Sequence, residues 1–231
     1  GDTGQSITIQ PFLTPGERRL KIRFDDGKST CICFAVYEST ETFIRAFCET
    51  TYHQRFVEEP ASPEYGAYTP TSRQGESCAK GSALLLKNLL TEPSPGEVQQ
   101  VEKNAVFYLR TRWIDEDFAP KKIYPGGFAR ILDFDFLILA FFLLSRVDGG
   151  LLRLNTPGTF LLLAYRTART RFGEASYKST REHFENRLAS MIYWLQKEMH
   201  GDLLKNGLPE EAAKMESIWK NHLEIQRNKI P

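Results

Sequence analysis

The sequence predicts an α+β protein in which a small lobe built on a β-hairpin precedes an all-α lobe. Residues 18–24 alternate apolar and basic side chains, which is the period of a half-buried strand. The tripeptide Asp25-Asp26-Gly27 follows, and it favours a tight turn because Asp and Gly tolerate positive φ. From residue 128 onward, apolar residues recur at helical spacing in successive stretches.

The hairpin leads into a predicted helix. Residues 30–37 form the return strand, and Thr40 is placed to cap the helix that follows. Phe43, Phe47 and Cys48 recur on one face of that helix and are expected to pack on the hairpin. Strand, turn, strand and capped helix in series open a β-grasp, or ubiquitin-like, lobe.

We assign the ubiquitin-like lobe to residues 1–103. It contains a long Pro- and Ser-rich loop, with a short strand predicted near residues 65–69. The apolar cluster in residues 80–90 fits either a helix or the last strand of the lobe.

Residues 104–231 are assigned to the second lobe, a four-helix bundle. An aromatic and basic segment at residues 106–113 is typical of a strand. The second helix begins at Pro157, after Asn155 or Thr156 as cap, and stops at Gly173. The third is expected to end at His200-Gly201. The four predicted helices cover residues 128–147, 157–172, 179–199 and 209–225.

Composition excludes several classes of function. The 231 residues contain 30 Lys and Arg against 29 Asp and Glu, so the formal charge is +1. This balance removes the electrostatic argument for a nucleic-acid partner. The longest apolar run, residues 136–144, has about nine residues, whereas a membrane span needs roughly 20. We therefore expect no nucleic-acid binding and no transmembrane segment.

The four cysteines lack the spacing of a disulfide scaffold or a zinc site. We expect reduced thiols in a cytoplasmic protein that binds no metal. Cys31 and Cys33 lie two apart in a predicted strand, where burial would keep them protonated and unreactive.

No catalytic motif is present in the sequence. The four histidines are scattered, and neither a P-loop nor a nucleophile-elbow pattern occurs. Asp133 and Asp135 lie close together, but residues two apart on a helix point roughly 200° from each other. We therefore place both near the solvated end of their helix and predict a protein that is not an enzyme and uses no cofactor.

Several segments together resemble the first two lobes of a FERM domain, without its third lobe. They are the segment at residues 106–113, the connector Asp148-Gly149-Gly150 and the helix end Phe172-Gly173-Glu174. The resemblance implies a non-enzymatic interaction module of a cytosolic adaptor, scaffold or signalling protein. Its partners would be receptor tails, a small GTPase of the Ras type or an anionic phospholipid, at the plasma membrane or the cytoskeleton.

Two basic clusters are the candidate binding sites. One lies on the hairpin, where strand addition and charge would bind a GTPase or a peptide, although solvated strand faces are often charged. The other lies at a helix C-terminus, where cations are favoured by the dipole alone or bind an acidic lipid headgroup. The hairpin set is Arg18, Arg19, Lys21, Arg23 and Lys28, and the helix set is Arg166, Arg169, Arg171 and Lys178.

Two alternatives remain open. The first is a Ras-association domain fused to an unrelated helical bundle. The second is an enzyme whose helical lobe holds a small-molecule pocket. A pocket lined by Asp133, Arg146 or Tyr165 would favour the enzyme.

Overall fold

The structure of the protein, a computed structural model, describes residues 14–71, 74–119, 121, 133–174 and 194–227. The chain forms two compact units, Gly1–Ala46 and Phe47–Pro231. Helices occur together with a two-stranded antiparallel sheet, which confirms the α+β class. The division at residue 46 differs from the predicted boundary at residue 103. The β-grasp lobe, the four-helix bundle and their boundaries stay predictions.

The first unit contains the predicted hairpin. Strand β1 (Gly16–Arg23) pairs antiparallel with β2 (Ser29–Val36), with Arg23 opposite Ser29 at the turn. Gly27 has a φ of +81°, the left-handed conformation that favours glycine. The turn closes through a hydrogen bond of 2.8 Å from the Phe24 amide to the Lys28 carbonyl. Local turn chemistry therefore sets the register of the hairpin.

Helix α1 (Thr40–Gln54) begins at the residue predicted to cap it, so the observed cap lies one residue earlier. Ser39, and not Thr40, accepts the capping hydrogen bond, from the Thr42 amide at 3.1 Å. Phe43 stays 66% exposed, so the apolar face of the helix is only partly covered.

The second unit is helical in its described part. The helices are α2 (Gln74–Leu90), α3 (Pro95–Lys103), α4 (Asp133–Leu144), α5 (Pro157–Arg169), α6 (Leu195–Lys205) and α7 (Pro209–Arg227). Helix α4 packs against α2 and α5, α2 packs against α3, and α6 packs against α7. None of the described helices combines the length and the apolar composition that crossing a membrane requires.

Helix α4 occupies the centre of the core. Its sequence is apolar around almost its whole circumference, which is the pattern of a helix surrounded by other helices. Phe134, Leu137, Ile138, Phe141 and Leu144 are each at most 1% exposed. The start of the predicted helix, residues 128–132, lies outside the described residues.

Two predicted strand segments have another structure, and one open choice is decided. Residues 80–90, which fit either a helix or a strand, belong to helix α2, and the strand near residues 65–69 is reduced to one bridge between Phe56 and Tyr68. The segment at residues 106–113 lies in a π-helix, Asn104–Trp113, that continues α3. Its buried residues are spaced three to four apart, so packing of a helical face overrides the strand preference of its aromatic residues. The buried apolar residues of this face are Ala105, Tyr108, Leu109 and Trp113.

The start of α5 and the end of α6 can be compared with the residues predicted to begin and end these helices. Thr156 caps α5 by accepting from the Thr159 amide at 3.2 Å, and Pro157 follows, as predicted. Helix α6 runs through His200-Gly201, contrary to the prediction. It ends at Lys205, because Gly207 adopts the left-handed conformation, with φ of +72°.

A buried carboxylate positions the loop before α5. Glu102 is fully buried and accepts three backbone hydrogen bonds, from the amides of Arg153, Leu154 and Asn155, at 2.7 to 2.9 Å. The loop therefore has a fixed path into the Thr156 cap, and α5 begins at a defined place beside α4.

Candidate functional site

A cavity of about 590 Å³ opens on the second unit. Its walls come from the C-terminal part of α2, the turn after α4, the first turns of α5 and the C-terminal end of α6. Residues from four separate elements thus meet at one place, and we call this place the Arg146 cavity. It is lined by Leu89, Ser145, Arg146, Pro157, Leu161, Asp202, Lys205 and Asn206.

One wall of the Arg146 cavity is apolar. It consists of Leu89 on α2 and of Pro157 and Leu161 on α5. Leu161 is 2% exposed, so it belongs to the core, whereas Leu89 is 38% exposed at the surface. This wall offers a ligand an apolar surface from which water is displaced on binding.

The polar wall of the cavity is charged and centres on Arg146. The Nε atom of Arg146 lies 2.9 Å from Oδ2 of Asp202, and its guanidinium also pairs with the carboxylate of Glu198. The guanidinium carbon lies 4.6 Å from the centre of the Phe142 ring. Two carboxylates and one ring therefore hold the planar cation in a defined orientation.

Two further polar groups lie at the end of α6. The Nζ atom of Lys205 is 3.6 Å from Oδ1 of Asp202, and the Lys205 side chain is 79% exposed. The amide of Asn206 donates to the Asp202 carbonyl at 2.8 Å. Next to Arg146 in the chain, the hydroxyl of Ser145 donates to the Phe142 carbonyl at 2.6 Å. The wall thus combines cations, an amide and a hydroxyl, which are groups that bind hydroxyl or acidic groups of a ligand.

A second polar cluster is buried between α4 and the π-helical turn Thr170–Glu174. Asp135 and Arg171 are both fully buried, with Oδ1 of Asp135 at 3.3 Å from Nε of Arg171. Burial raises the pKa of Asp135 to about 6, although Arg171 acts in the opposite direction. Asp133 is 1% exposed, so the prediction that both carboxylates lie near solvent is wrong.

No protein-family model matches the chain, and no curated protein is similar to it in sequence. Among solved structures, the chain is similar in fold to a polysaccharide lyase, with a TM-score of 0.69 and 17% identity. The match covers 92% of this chain and 32% of the lyase chain. The chain therefore spans about a third of the length of the structure it matches, and at this identity the likeness shows the fold alone.

This likeness corrects the prediction of a non-enzymatic adaptor or scaffold. The similar structure belongs to an enzyme, and the open alternative of an enzyme with a pocket in its helical part fits the findings better. The polar residues that line the Arg146 cavity come from the turn after α4 and from the end of α6, and they match none of the catalytic motifs considered for the sequence. The resemblance to a FERM domain stays a prediction that none of these comparisons tests.

The predicted hairpin site belongs to the first unit of the chain, whereas the Arg146 cavity belongs to the second. Arg18 is half-buried and donates to the Thr14 carbonyl at 2.9 Å, and Lys28 pairs with Asp26 at 2.9 Å. The binding of a GTPase or a peptide there stays a prediction. The exposed cations of this set in β1 are Arg19, Lys21 and Arg23.

The predicted basic cluster at the end of α5 does not lie together on the surface. Arg166 is exposed, with its guanidinium carbon 5.9 Å from the Phe118 ring centre, and Arg169 is half-buried. Arg171 is buried beside Asp135, because the π-helical turn directs it into the core. Lys178 lies outside the described residues. Lipid binding by this set stays a prediction. Among the described residues it is limited to Arg166 and the half-buried Arg169, since Arg171 is buried.

The sequence signalled the Arg146 cavity only in part. Of the three residues expected to line an enzyme pocket, Arg146 lines the cavity, whereas Asp133 and Tyr165 do not. Asp202 and Lys205 were missed because the predicted third helix ended before them. The Asn206-Gly207 pair is a sequence feature typical of a helix end, and a helix that ended there would include Asp202 and Lys205.

Proposed function

We propose that this chain is the helical part of an enzyme that acts on a polysaccharide, and that the Arg146 cavity receives the sugar chain. The observation that carries the proposal is the likeness in fold to a polysaccharide lyase over 92% of this chain.

The chemistry of the cavity supports a sugar ligand. A sugar ring presents C–H groups on its faces and hydroxyl groups around its edge. The apolar wall, which includes Pro157 and Leu161, suits the faces, and the polar wall, which includes Lys205 and Asn206, suits the edge. A cavity of this composition orients a polar ligand by a few hydrogen bonds while the apolar wall contacts its C–H groups.

A lyase breaks its substrate by elimination and not by adding water. A base removes a proton from carbon, the bond from the neighbouring carbon to the glycosidic oxygen breaks, and a C=C bond forms. The leaving oxygen takes up a proton. In this proposal Arg146, Lys205 and Asn206 bind and orient the sugar chain. The pairing of Arg146 with Asp202 and Glu198 holds its charge in position before the ligand arrives.

The test measures binding and cleavage of a panel of acidic and neutral polysaccharides. Binding is followed by affinity electrophoresis, and elimination by the ultraviolet absorbance of the new C=C bond. We expect at least one polysaccharide to retard the chain, and Lys205→Ala to weaken that retardation.

The matched control is Lys197→Ala, because Lys197 is an exposed lysine of α6 that does not line the cavity. The proposal is abandoned if no polysaccharide in the panel is bound or cleaved. It is also abandoned if the Lys205 and Lys197 variants bind equally well.

A further inference from the structure

Helix α6 carries a stripe of side chains that extends beyond the Arg146 cavity. At 3.6 residues per turn, Glu198, Asp202 and Lys205 lie roughly 40°, 80° and 20° around the helix from Trp194. The buried residues Leu195 and Met199 lie on the adjoining face, which packs into the core. The four residues of the stripe, Trp194, Glu198, Asp202 and Lys205, therefore share the edge between core and solvent.

The stripe and the cavity are physically continuous. Asp202 and Lys205 line the cavity, and Glu198 pairs with Arg146, which also lines it. Trp194 is one helical turn from Glu198. From Trp194 to Lys205 the stripe is about 16 Å long, from the rise of 1.5 Å per residue.

Trp194 is the unusual member of this stripe. Its side chain is 53% exposed, although an indole is among the largest apolar groups in a protein. The other two tryptophans of the chain, Trp113 and Trp219, are each 1% exposed. An exposed indole beside a polar cavity presents a flat apolar face to whatever occupies that cavity.

We infer that Trp194 is a stacking platform for a sugar ring, at the end of a binding surface that runs along α6 from the Arg146 cavity. This inference rests on the proposed function and specifies where the polysaccharide extends beyond the cavity. The indole face covers the C–H groups of one ring, while the charged groups of the stripe form hydrogen bonds with the hydroxyl groups of its neighbours.

The surroundings of Trp194 favour a sugar over a protein partner. Protein interfaces place an aromatic anchor in a desolvated apolar centre. Here the neighbouring residues Lys197 and Glu198 are charged and exposed. On the described part of α6, an aromatic face bordered by charges is better matched to a ligand that has one apolar face and many hydroxyl groups.

The test uses tryptophan fluorescence with acrylamide as the quencher and the polysaccharide that binds best in the panel above. Acrylamide reaches an exposed indole much faster than a buried one, so quenching in the native chain reports mainly on Trp194. We expect the polysaccharide to protect against quenching and Trp194→Ala to remove that protection. The same variant should weaken polysaccharide binding by about five- to tenfold, from the energy of an aromatic contact. Trp194→Phe keeps an aromatic face and should bind nearly as well as the unaltered chain.

The outcomes separate this inference from the proposed function. If the unaltered chain binds a polysaccharide, but quenching is unchanged and Trp194→Ala binds equally well, the platform is wrong and the proposed function stands. If the unaltered chain binds no polysaccharide, the proposed function fails, and the platform fails with it. A thermal melt of each variant confirms that binding is compared between folded proteins.

Discussion

The Nε atom of Arg146 lies 2.9 Å from Oδ2 of Asp202, although the two residues are 56 positions apart in the chain. This contact joins the turn after α4 to the last part of α6, and both residues line the cavity. Glu198 pairs with the same guanidinium. The charged wall of the cavity thus also links two elements of the second unit.

Replacing Asp202 with Asn should loosen this wall. Asn keeps the size of the side chain but removes the charge that faces Arg146 and Lys205. Because the Arg146 side chain is about one-third exposed, solvent screens the pair, and we expect the free energy of unfolding in urea to fall by about 1 kcal/mol. Polysaccharide binding should weaken as well, since the guanidinium is no longer held in place.

The control is Glu216→Gln, which breaks an exposed pair with Lys220 within α7. This variant should leave both stability and binding nearly unchanged. If the two substitutions changed stability and polysaccharide binding equally, the pairing of Asp202 with Arg146 would matter no more than an exposed ion pair.

Stability should depend on pH through Asp135. The pKa of Asp135 is raised from 3.8 to about 6 by burial, so between these values the folded chain holds a proton that the unfolded chain has lost. The free energy of unfolding therefore falls as pH rises from about 4 to about 6, by about 2–3 kcal/mol from this one group. Urea unfolding at a series of pH values measures the slope.

Asp135→Asn should remove this contribution to the slope, because the amide does not titrate. Asp117→Asn, on an exposed turn, is the matched control and should keep the slope of the unaltered chain. If the Asp135 variant kept the same dependence of the free energy of unfolding on pH, that dependence could not come from the raised pKa of Asp135.

The four thiols should divide into two classes. Cys31 and Cys33 are exposed, contrary to the prediction that the strand buries them, whereas Cys48 and Cys78 are buried. Burial raises the pKa of the Cys78 thiol far above its usual range, and its Sγ atom donates to the Phe136 carbonyl at 3.3 Å. A thiol reagent should label two cysteines in the native chain and four in denaturant. Labelling of Cys78 at the rate of Cys31 would contradict the packing of α2 on α4.

Gly201 and Gly207, in the α6–α7 hairpin, should change the free energy of unfolding in opposite directions when each is replaced with Ala. Gly201 lies inside α6, and an added Cβ would meet nothing within 4 Å. Gly201→Ala should therefore stabilise the chain by about 0.5–1 kcal/mol. Gly207 has a φ of +72°, so Gly207→Ala should destabilise it by about 1 kcal/mol. Urea unfolding of both variants measures the signs, and stabilisation by Gly207→Ala would show that α6 ends elsewhere.

Local chemistry determined several features that the sequence predicted correctly. The turn at Gly27 and the start of α5 at Thr156-Pro157 depend on conformations and hydrogen bonds within a few residues. The start of α7 at Pro209 depends on the same kind of local preference. Such preferences act whatever the rest of the chain does, so the sequence reveals them.

Tertiary packing decided the features that the sequence misjudged. Residues 106–113 carry strand-forming aromatics, but burial of Tyr108 and Trp113 against neighbouring elements favours a helix. Arg171 has the sequence context of a solvated helix end, yet Asp135, 36 positions away, accepts it as a buried partner. The energy of these contacts comes from groups distant in sequence, so no local pattern contains it.

The Arg146 cavity shows both contributions at once. The sequence by itself determined the start of α5, at the Thr156 cap and Pro157, whereas α6 runs past its predicted end at His200-Gly201. Only the tertiary structure decided that Leu89, Arg146, Leu161 and Asp202 meet, because each comes from a different element. A binding site of this kind is a property of helix packing, since its polar and apolar walls exist only after the helices are assembled.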